Sequence, residues 1–510
     1  MGDSWEKISP DLTTNDPAKQ NQIESGGLST DNSGAENHCT IFTIAESTLD
    51  QQVIWAGTDD GNVQVTQDEG KTWTNTTPNI SGLPANTWCY HIEASVHNKG
   101  TAYAVFDGHT SNDMTPYVYK TSDFGATWTA LATDDIVGFA RNIQEDYVNP
   151  DLLFLGTELG LFITIDGGKN WSRFTNNMPA TAVHFIDLQK QTSDLVLGTH
   201  GRGIIIIDDI SPLRGITQEV LAENVHFFDT KPTVIVEESG FGGASTEMQF
   251  VGPNPTRSAK IIYYLKKRHI FGKMLMEIRD MEGNKLIELT PGKSKGINVV
   301  TWNYRVKQPK MAKGKTFTFG GFTAPRVTAG TYQVIMTKGK ETYKTQIELI
   351  DDPTSVLTAA ERTALANTTD KLYNMCEELA YLVYQIDQHT AKAEELKSQA
   401  SYRRSAQPVI DELTSLKEGL VITTGDNYVG AAEPQLREKL ATLYSKVASG
   451  FNPPSASEMQ NLKLLENQFV EAKATFEKIK AKRIKKLANL IVKNELPETE
   501  IKAFEEFLEE

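Results

Sequence analysis

The sequence predicts a multidomain fold, mainly β and then α: part of a β-propeller, then a β-sandwich, then a C-terminal helical bundle. Three observations predict it. An eight-residue signature recurs three times within the first 171 residues, each copy following a short apolar strand and ending on a Trp. Between residues 224 and 352, apolar and polar residues alternate in short runs divided by turns. From Leu357 onward the apolar period lengthens from two residues to about 3.5.

The signature copies are Thr66-Gln-Asp68-Glu-Gly70-Lys-Thr72-Trp73, Thr121-Ser-Asp123-Phe-Gly125-Ala-Thr127-Trp128 and Thr164-Ile-Asp166-Gly-Gly168-Lys-Asn170-Trp171. Their chemistry is that of a tight turn. A short carboxylate accepts N–H bonds from its own turn, and Ser/Thr hydroxyls do so more weakly. The glycine permits a positive φ, and the Trp offers a large apolar surface with one donor. Asp68, Asp123 and Asp166 are therefore read as structural and not as catalytic acids.

Around each copy the chain repeats four short strands, as in Cys39–Ala45, Val53–Thr58, Asn62–Thr66 and Trp73–Thr77. Further units open at Trp88 and Phe139. A last one, from Ala182 to Ile207, lacks the signature and has three strands. Four-stranded sheets at such a period are propeller blades.

The triple signature resembles the Asp-box, or BNR repeat, of sialidase and sortilin-type (VPS10) propellers. Gly57-Thr-Asp-Asp-Gly61, Gly156-Thr-Glu-Leu-Gly160 and Gly198-Thr-His-Gly-Arg-Gly203 are similar to large bacterial sortilin-like proteins labelled "glycosyl hydrolase BNR repeat". That resemblance covers about the first two-fifths of the chain. It implies a secreted, periplasmic or cell-surface setting. The hydrolase label in that group rests largely on the structural turns.

Gly2-Asp-Ser-Trp5 reads as the tail of a further signature. The expected count over residues 1–213 is one outer strand, three whole blades and a three-stranded blade. Propellers close with about 4–8 blades, so this portion is expected not to close alone. The chain reads as the C-terminal part of a longer protein with a missing N-terminal propeller half; two chains completing one ring is the alternative.

Residues 224–352 contain Ile261–Leu265, Leu275–Arg279 and Tyr332–Met336, with turns at Asp280–Gly283, Pro291-Gly292 and Ala329-Gly330. Such spacing predicts a sandwich. Gly296–Trp302 and Ala329–Val334 resemble Ig-like modules of bacterial envelope proteins, which implies a spacer or docking surface. Residues 309–323, rich in Lys, Gly and Phe, are expected to form an irregular loop or flap. Over 357–510, Leu372, Met375, Leu379, Leu382 and Ile386 step by 3 and 4, as do Leu462, Leu465, Phe469, Ala472, Phe476 and Ile479. These are coiled-coil-like seams of packed helices. Pro353, Pro408, Pro434 and Pro453-Pro454 are expected at breaks, and Gly425–Gly430 as a loop. The basic run from Lys478 to Lys486 reads as a solvated helix face.

The formal net charge of −15 over 510 residues disfavours nucleic acid and anionic membrane as partners. No apolar run reaches the roughly 18 residues of a membrane span, and Met1–Ser9 carries no signal-peptide core. Cys39, Cys89 and Cys376 are too few for a disulfide framework; a Cys39–Cys89 bridge is open, and buried free thiols are the preferred reading. Asn75, Asn79 and Asn170 head triplets of the glycosylation type. No cofactor or metal is expected, since no recognised ligand spacing occurs.

Strand order places the turns between the second and third strands on the face opposite the signature turns. Those turns carry Asp59 and Asp60, Asp107 and His109, Glu158, and His200 and Arg202. Charged residues thus recur at one position in every blade, and a peptide, protein or glycan ligand is expected there. The long connection Ser9–His38 opens on the same face. Tyr90, His91 and Glu93 alternate along an inner strand, so one or two are expected to line the channel, with His91 a satisfied core histidine. A sialidase triad needs three arginines, whereas residues 1–213 hold only Arg141, Arg173 and Arg202, with Arg173 on an outer strand. A sialidase- or xyloglucanase-like glycoside hydrolase, needing paired carboxylates, is the alternative to a non-catalytic binding protein.

Overall fold

The computed structural model describes residues 4–21, 38–236, 256–423 and 433–509. The first half of the expected N-terminal signature tail, most of the Ser9–His38 connection and the Gly425–Gly430 loop lie outside these residues. Two compact units divide the chain, Met1–Glu223 and Asn224–Glu510.

The first unit holds four antiparallel sheets in chain order, a β-propeller-like arrangement. Blade one comprises Ile41–Glu46, Ile54–Thr58, Val63–Thr66 and Thr74–Asn75. Blade two runs through Trp88–Ala94, Ala102–Asp107, Tyr117–Thr121 and Thr129–Ala130, and blade three through Ala140–Glu145, Leu153–Thr157, Gly160–Thr164 and Ser172–Arg173. Blade four has three strands, Ala182–Gln189, Asp194–His200 and Ile204–Ile207. A separate apolar core fills each junction: Trp55, Val63 and Ile92 between blades one and two, Val118 and Ile143 between two and three, Leu161 and Ile186 between three and four. The second and third strands of blades one to three are buried on nearly every residue, which is why they read as almost continuous apolar runs.

The three signature turns fold alike. Thr66, Thr121 and Thr164 donate Oγ1–H to Asp68, Asp123 and Asp166 at 2.7–2.8 Å. Each of those hydroxyls accepts the N–H of Gly70, Gly125 or Gly168. The carboxylates then take the backbone N–H of Thr72, Thr127 and Asn170 at 2.8–3.0 Å. Backbone and side-chain bonds from Thr72 and Thr127 hold Asp68 and Asp123 below the usual carboxylate range. Gly70, Gly125 and Gly168 have φ of +89, +81 and +95°. A Cβ on Gly70 would also meet the Ile8 carbonyl oxygen at 2.4 Å, and one on Gly125 the Thr76 Cγ2 at 2.4 Å. Trp171 Nε1 donates to Leu131 of the preceding blade at 2.9 Å, and Trp73 Nε1 to Ile8 at 3.0 Å. Trp128 Nε1 has no partner among the described residues.

In the second unit, a three-stranded sheet (Val225–Phe228, Ala259–Leu265, Gly296–Trp302) packs on a five-stranded one (Thr233–Ile235, Glu341–Asp351, Gly330–Lys338, Met274–Arg279, Lys285–Leu289). Val225, Ile261, Tyr263 and Trp302 of the first sheet share a core with Met276, Ile278, Val334 and Met336 of the second. The helices are Ala359–Lys397, Ala400–Leu420, Leu436–Ser449, Ala456–Ile479, Lys485–Lys493 and Phe504–Glu509, the fourth and fifth joined through a π-helical turn at Lys480–Ile484. Capping boxes at Thr358/Glu361 and Ser455/Glu458 start the two long helical runs. Every residue of both expected seams is buried in one helical core.

One sequence expectation is corrected here. Pro408 lies inside Ala400–Leu420, not at a break; the chain turns at Ser398–Gln399 instead. Residues 309–323 form an irregular loop with a short 3-10 turn at Phe319–Phe322. Their backbone is bonded to the helical region: Lys315 N–H donates to Ile422 O, just past Ala400–Leu420, at 2.9 Å, Arg437 Nη1 to Thr316 O at 3.0 Å, and Tyr444 Oη to Thr323 O at 2.8 Å. The sheets and helices fall within one compact unit, Asn224–Glu510. All three cysteines are free, and Cys39 is only partly buried.

Candidate functional site

On the face opposite the signature turns, each blade carries a β-bulge at the same place on its inner strand. Pairing with the second strand skips one residue between Ile41 and Thr43, Cys89 and His91, Ala140 and Asn142, and Val183 and Phe185. The skipped residues are Phe42, Tyr90, Arg141 and His184. A bulge leaves its extra residue unpaired and re-aims the side chain. Four bulges in register place four different side chains in one lane across the blades.

The first three bulged residues are in contact. The Phe42 ring lies 4.6 Å from Trp88 and 5.3 Å from Tyr90. The Arg141 guanidinium sits 4.6 Å from the Tyr90 ring and 4.6 Å from Phe139, a double cation–π contact. Its Nη1 donates to Asp107 at 2.6 Å, an ion pair whose carboxylate is fully enclosed. Asp107 also contacts Nδ1 of His109 at 2.7 Å, and the His109 ring stacks on Phe139 at 4.7 Å. At the far end His184 stacks on His200 at 5.3 Å and approaches Glu158 at 4.0 Å. Burial, then the Arg141 charge, push His184 below the ordinary histidine range, so its imidazole is neutral at pH 7. The buried Trp88 Nε1 and Arg141 Nε have no partner among the described residues. Unpaired buried donors are rare in folded proteins and need an explanation.

The expected site residues divide into two sets. Asp107, His109, Glu158 and His200 flank the lane. Asp59 and Asp60 do not join it. Asp60 is only 1% exposed. Its carboxylate takes the Thr14 N–H and hydroxyl at 2.6 Å each and the Thr58 hydroxyl at 2.5 Å. Burial pushes Asp60 up, but these bonds outweigh it and hold the group below the usual range. Asp59 binds the Thr40 N–H and hydroxyl at 2.8 and 2.9 Å. Both carboxylates pin neighbouring loops through the threonines at 14, 40 and 58. Arg202 stands exposed at the tip of the last turn. Among the described residues, no group of three His, Cys, Asp or Glu is placed to hold a metal.

Deeper along the inner strands, His91 Nε2 meets the Ile143 carbonyl at 3.2 Å, and burial pushes the group down to about 4. Glu93 lies 3.9 Å from it and accepts a bond from Gln144 Nε2 at 2.5 Å. Burial pushes Glu93 up to about 8, with the charges of Glu145 and Asp187 adding to the rise. At neutral pH the His91–Glu93 contact therefore joins two uncharged groups.

Sequence reading missed Phe42, Arg141 and His184 as site residues because a bulge shifts side-chain alternation by one. A signal was present. Aligning the inner strands on Ile44, Ile92, Ile143 and Ile186 puts Phe42, Tyr90, Arg141 and His184 each two residues earlier.

No protein-family model matches the chain, and no curated protein matches it. Among solved structures it is similar to the GH74 enzyme of Niastella koreensis at 18% identity, over 34% of this chain and 24% of that one, with a TM-score of 0.27. It is also similar to YCF48 bound to D1 peptide at 17% identity, over 34% and 51%, with a TM-score of 0.26. An ancestral GH74 enzyme matches at 13% identity over 61% and 41%, with a TM-score of 0.28. The chain thus spans between about a quarter and about half of the length of these proteins.

Proposed function

We propose that the propeller-like unit is a non-catalytic binding module, with a peptide, protein or glycan ligand lying along the lane of bulged residues. One observation carries the reading: Phe42, Tyr90, Arg141 and His184 occupy one structural position in four successive blades, yet the side chain there changes from aromatic ring to guanidinium to imidazole. Repeated turns serve the fold, whereas a repeated bulge with a changing side chain serves recognition. Aromatic rings at one end and a guanidinium with imidazoles at the other suit an extended ligand having apolar and polar portions. On this reading the signature turns are Asp-boxes, the two-sheet region is an Ig-like spacer, and the protein works in the cell envelope or secreted space, as the resemblance to sortilin-like bacterial proteins implies. The experiment is to pan a displayed random peptide library and a glycan panel against the full chain. Saturable binding that Tyr90→Ser and His184→Ser each weaken supports the reading; binding indifferent to both contradicts it.

A second reading, glycoside hydrolysis, draws on Glu93. A carboxyl raised to about 8 by burial has the protonation state of a general acid. Asp60 and Asp107 are occupied by internal bonds, so they do not serve as its partner carboxylate. Release of sugar from a glycan panel by the wild type, abolished in a folded Glu93→Gln variant, would favour this reading over the first.

A further inference from the structure

The two ends of the row of blades expose the surfaces that are buried at every internal junction. On the leading side, Ile41 and Ile44 of blade one are 42% and 66% exposed. Their counterparts by strand register are Cys89 and Ile92, Ala140 and Ile143, and Val183 and Ile186, all 6% exposed or less. On the trailing side, Phe185, Ile204 and Ile206 of blade four are 64%, 73% and 58% exposed. Ile204 corresponds to Val63, Val118 and Leu161, each 1% exposed or less in an internal junction. An apolar sheet face of this kind is an interaction surface, and the junctions inside the chain show what it accepts: the opposite face of another blade.

The outer strands carry a second mismatch. Among the described residues, blade four has no fourth strand. Residues following Trp5, meanwhile, lie where the outer strand of a preceding blade belongs. Ile8 O accepts from Trp73 Nε1 as Leu131 O accepts from Trp171 Nε1. Ile8 stands three residues after Trp5 as Leu131 stands three after Trp128, and it packs on Gly70 as Leu131 packs on Gly168. Trp5 itself is 93% exposed, against 4% for Trp171.

We propose that two copies of this chain close one ring. The leading face of each copy covers the trailing face of the other, and the segment around Trp5 of each supplies the outer strand of its partner's fourth blade. A second copy is the occupant because this chain carries both complementary faces, the three-stranded blade and the strand that completes it. The contact is head-to-tail and closes with two-fold symmetry. Two copies of four blades lie at the upper end of the roughly 4–8 found in propellers. The lane of bulged residues would then run through both copies.

The test is the mass in solution, by sedimentation equilibrium across micromolar concentrations, of the wild type and of Ile44→Asp and Ile204→Asp. Both positions are exposed in one copy, so circular dichroism should show each variant folded. The wild type is expected as a dimer and each variant alone as a monomer. An equimolar mixture of the two variants should recover a dimer, since one intact leading face still meets one intact trailing face. A monomeric wild type at all concentrations overturns the proposal. So does a dimer that both variants leave unchanged, or a mixture that stays monomeric. None of these readouts involves the ligand, so the proposal stands or falls apart from the binding function.

Discussion

The two faces of the propeller-like unit are built from the same repeat and have opposite sequence character. On one face three turns repeat their Thr, Asp, Gly and Trp, with the same Thr-to-Asp, Gly-to-Thr and backbone-to-Asp bonds. On the other, four bulges repeat in the backbone while the bulged side chain changes from Phe to Tyr to Arg to His. Where a blade must only stay folded, its chemistry is copied. Where the backbone repeats and the chemistry does not, the position is freed for recognition. Carboxylates make the contrast plainest: Asp68, Asp123 and Asp166 close their own turns, whereas Asp107 on the opposite face orients an Arg and a His toward the lane.

Breaking the signature-turn face should have the largest effect. Trp171→Ala removes an indole buried to 4% exposure and its bond to Leu131, which costs about 3–5 kcal/mol; urea unfolding measures it. The same change at Trp5, 93% exposed, should stay within about 0.5 kcal/mol in the monomer. Equal losses at both positions would break the account of the repeat.

Arg141 is where the two faces overlap. Arg141→Ala leaves the enclosed Asp107 carboxylate without its counter-charge, a loss of about 3 kcal/mol, so this bulge position alone should affect both stability and binding. Arg141→Ala with Asp107→Ala should recover part of the stability and none of the binding, read as a double-mutant cycle.

A smaller effect is titration of the inner strands. Glu93 rises from an ordinary 4.5 to about 8 in the fold, so its contribution is complete below pH 4.5 and is lost as pH climbs toward 8. His91 falls from 6.5 to about 4, so its contribution is present above pH 6.5 and is lost as pH falls toward 4. Glu93→Gln should flatten the alkaline decline of the unfolding free energy, and leave the acid one.

Much of this organisation is legible in the sequence. The turns announce themselves because Asp, Gly and Trp at fixed spacing have a single use in a tight hairpin, and the helical seams because Leu372 to Ile386 keep one face. The bulges are hidden because one inserted residue reverses alternation without altering composition; Tyr90 and His91 read as ordinary neighbours on a strand. The enclosure of Asp60 is hidden in the sequence, because an exposed-looking turn is covered only once Thr14 folds over it. Pro408 misled because a helix anchored by Ala406, Val409 and Leu413 in a core outweighs the one backbone bond a proline removes.

The central claim, that the bulged face recognises while the turn face supports, is tested most directly by Phe42→Ser, Tyr90→Ser and His184→Ser combined in one variant. Unfolding by urea and binding to the peptides or glycans selected by the wild type are then measured on the same preparation. The account predicts a loss of less than about 2 kcal/mol in stability together with loss of binding. A variant that binds as the wild type does would contradict it.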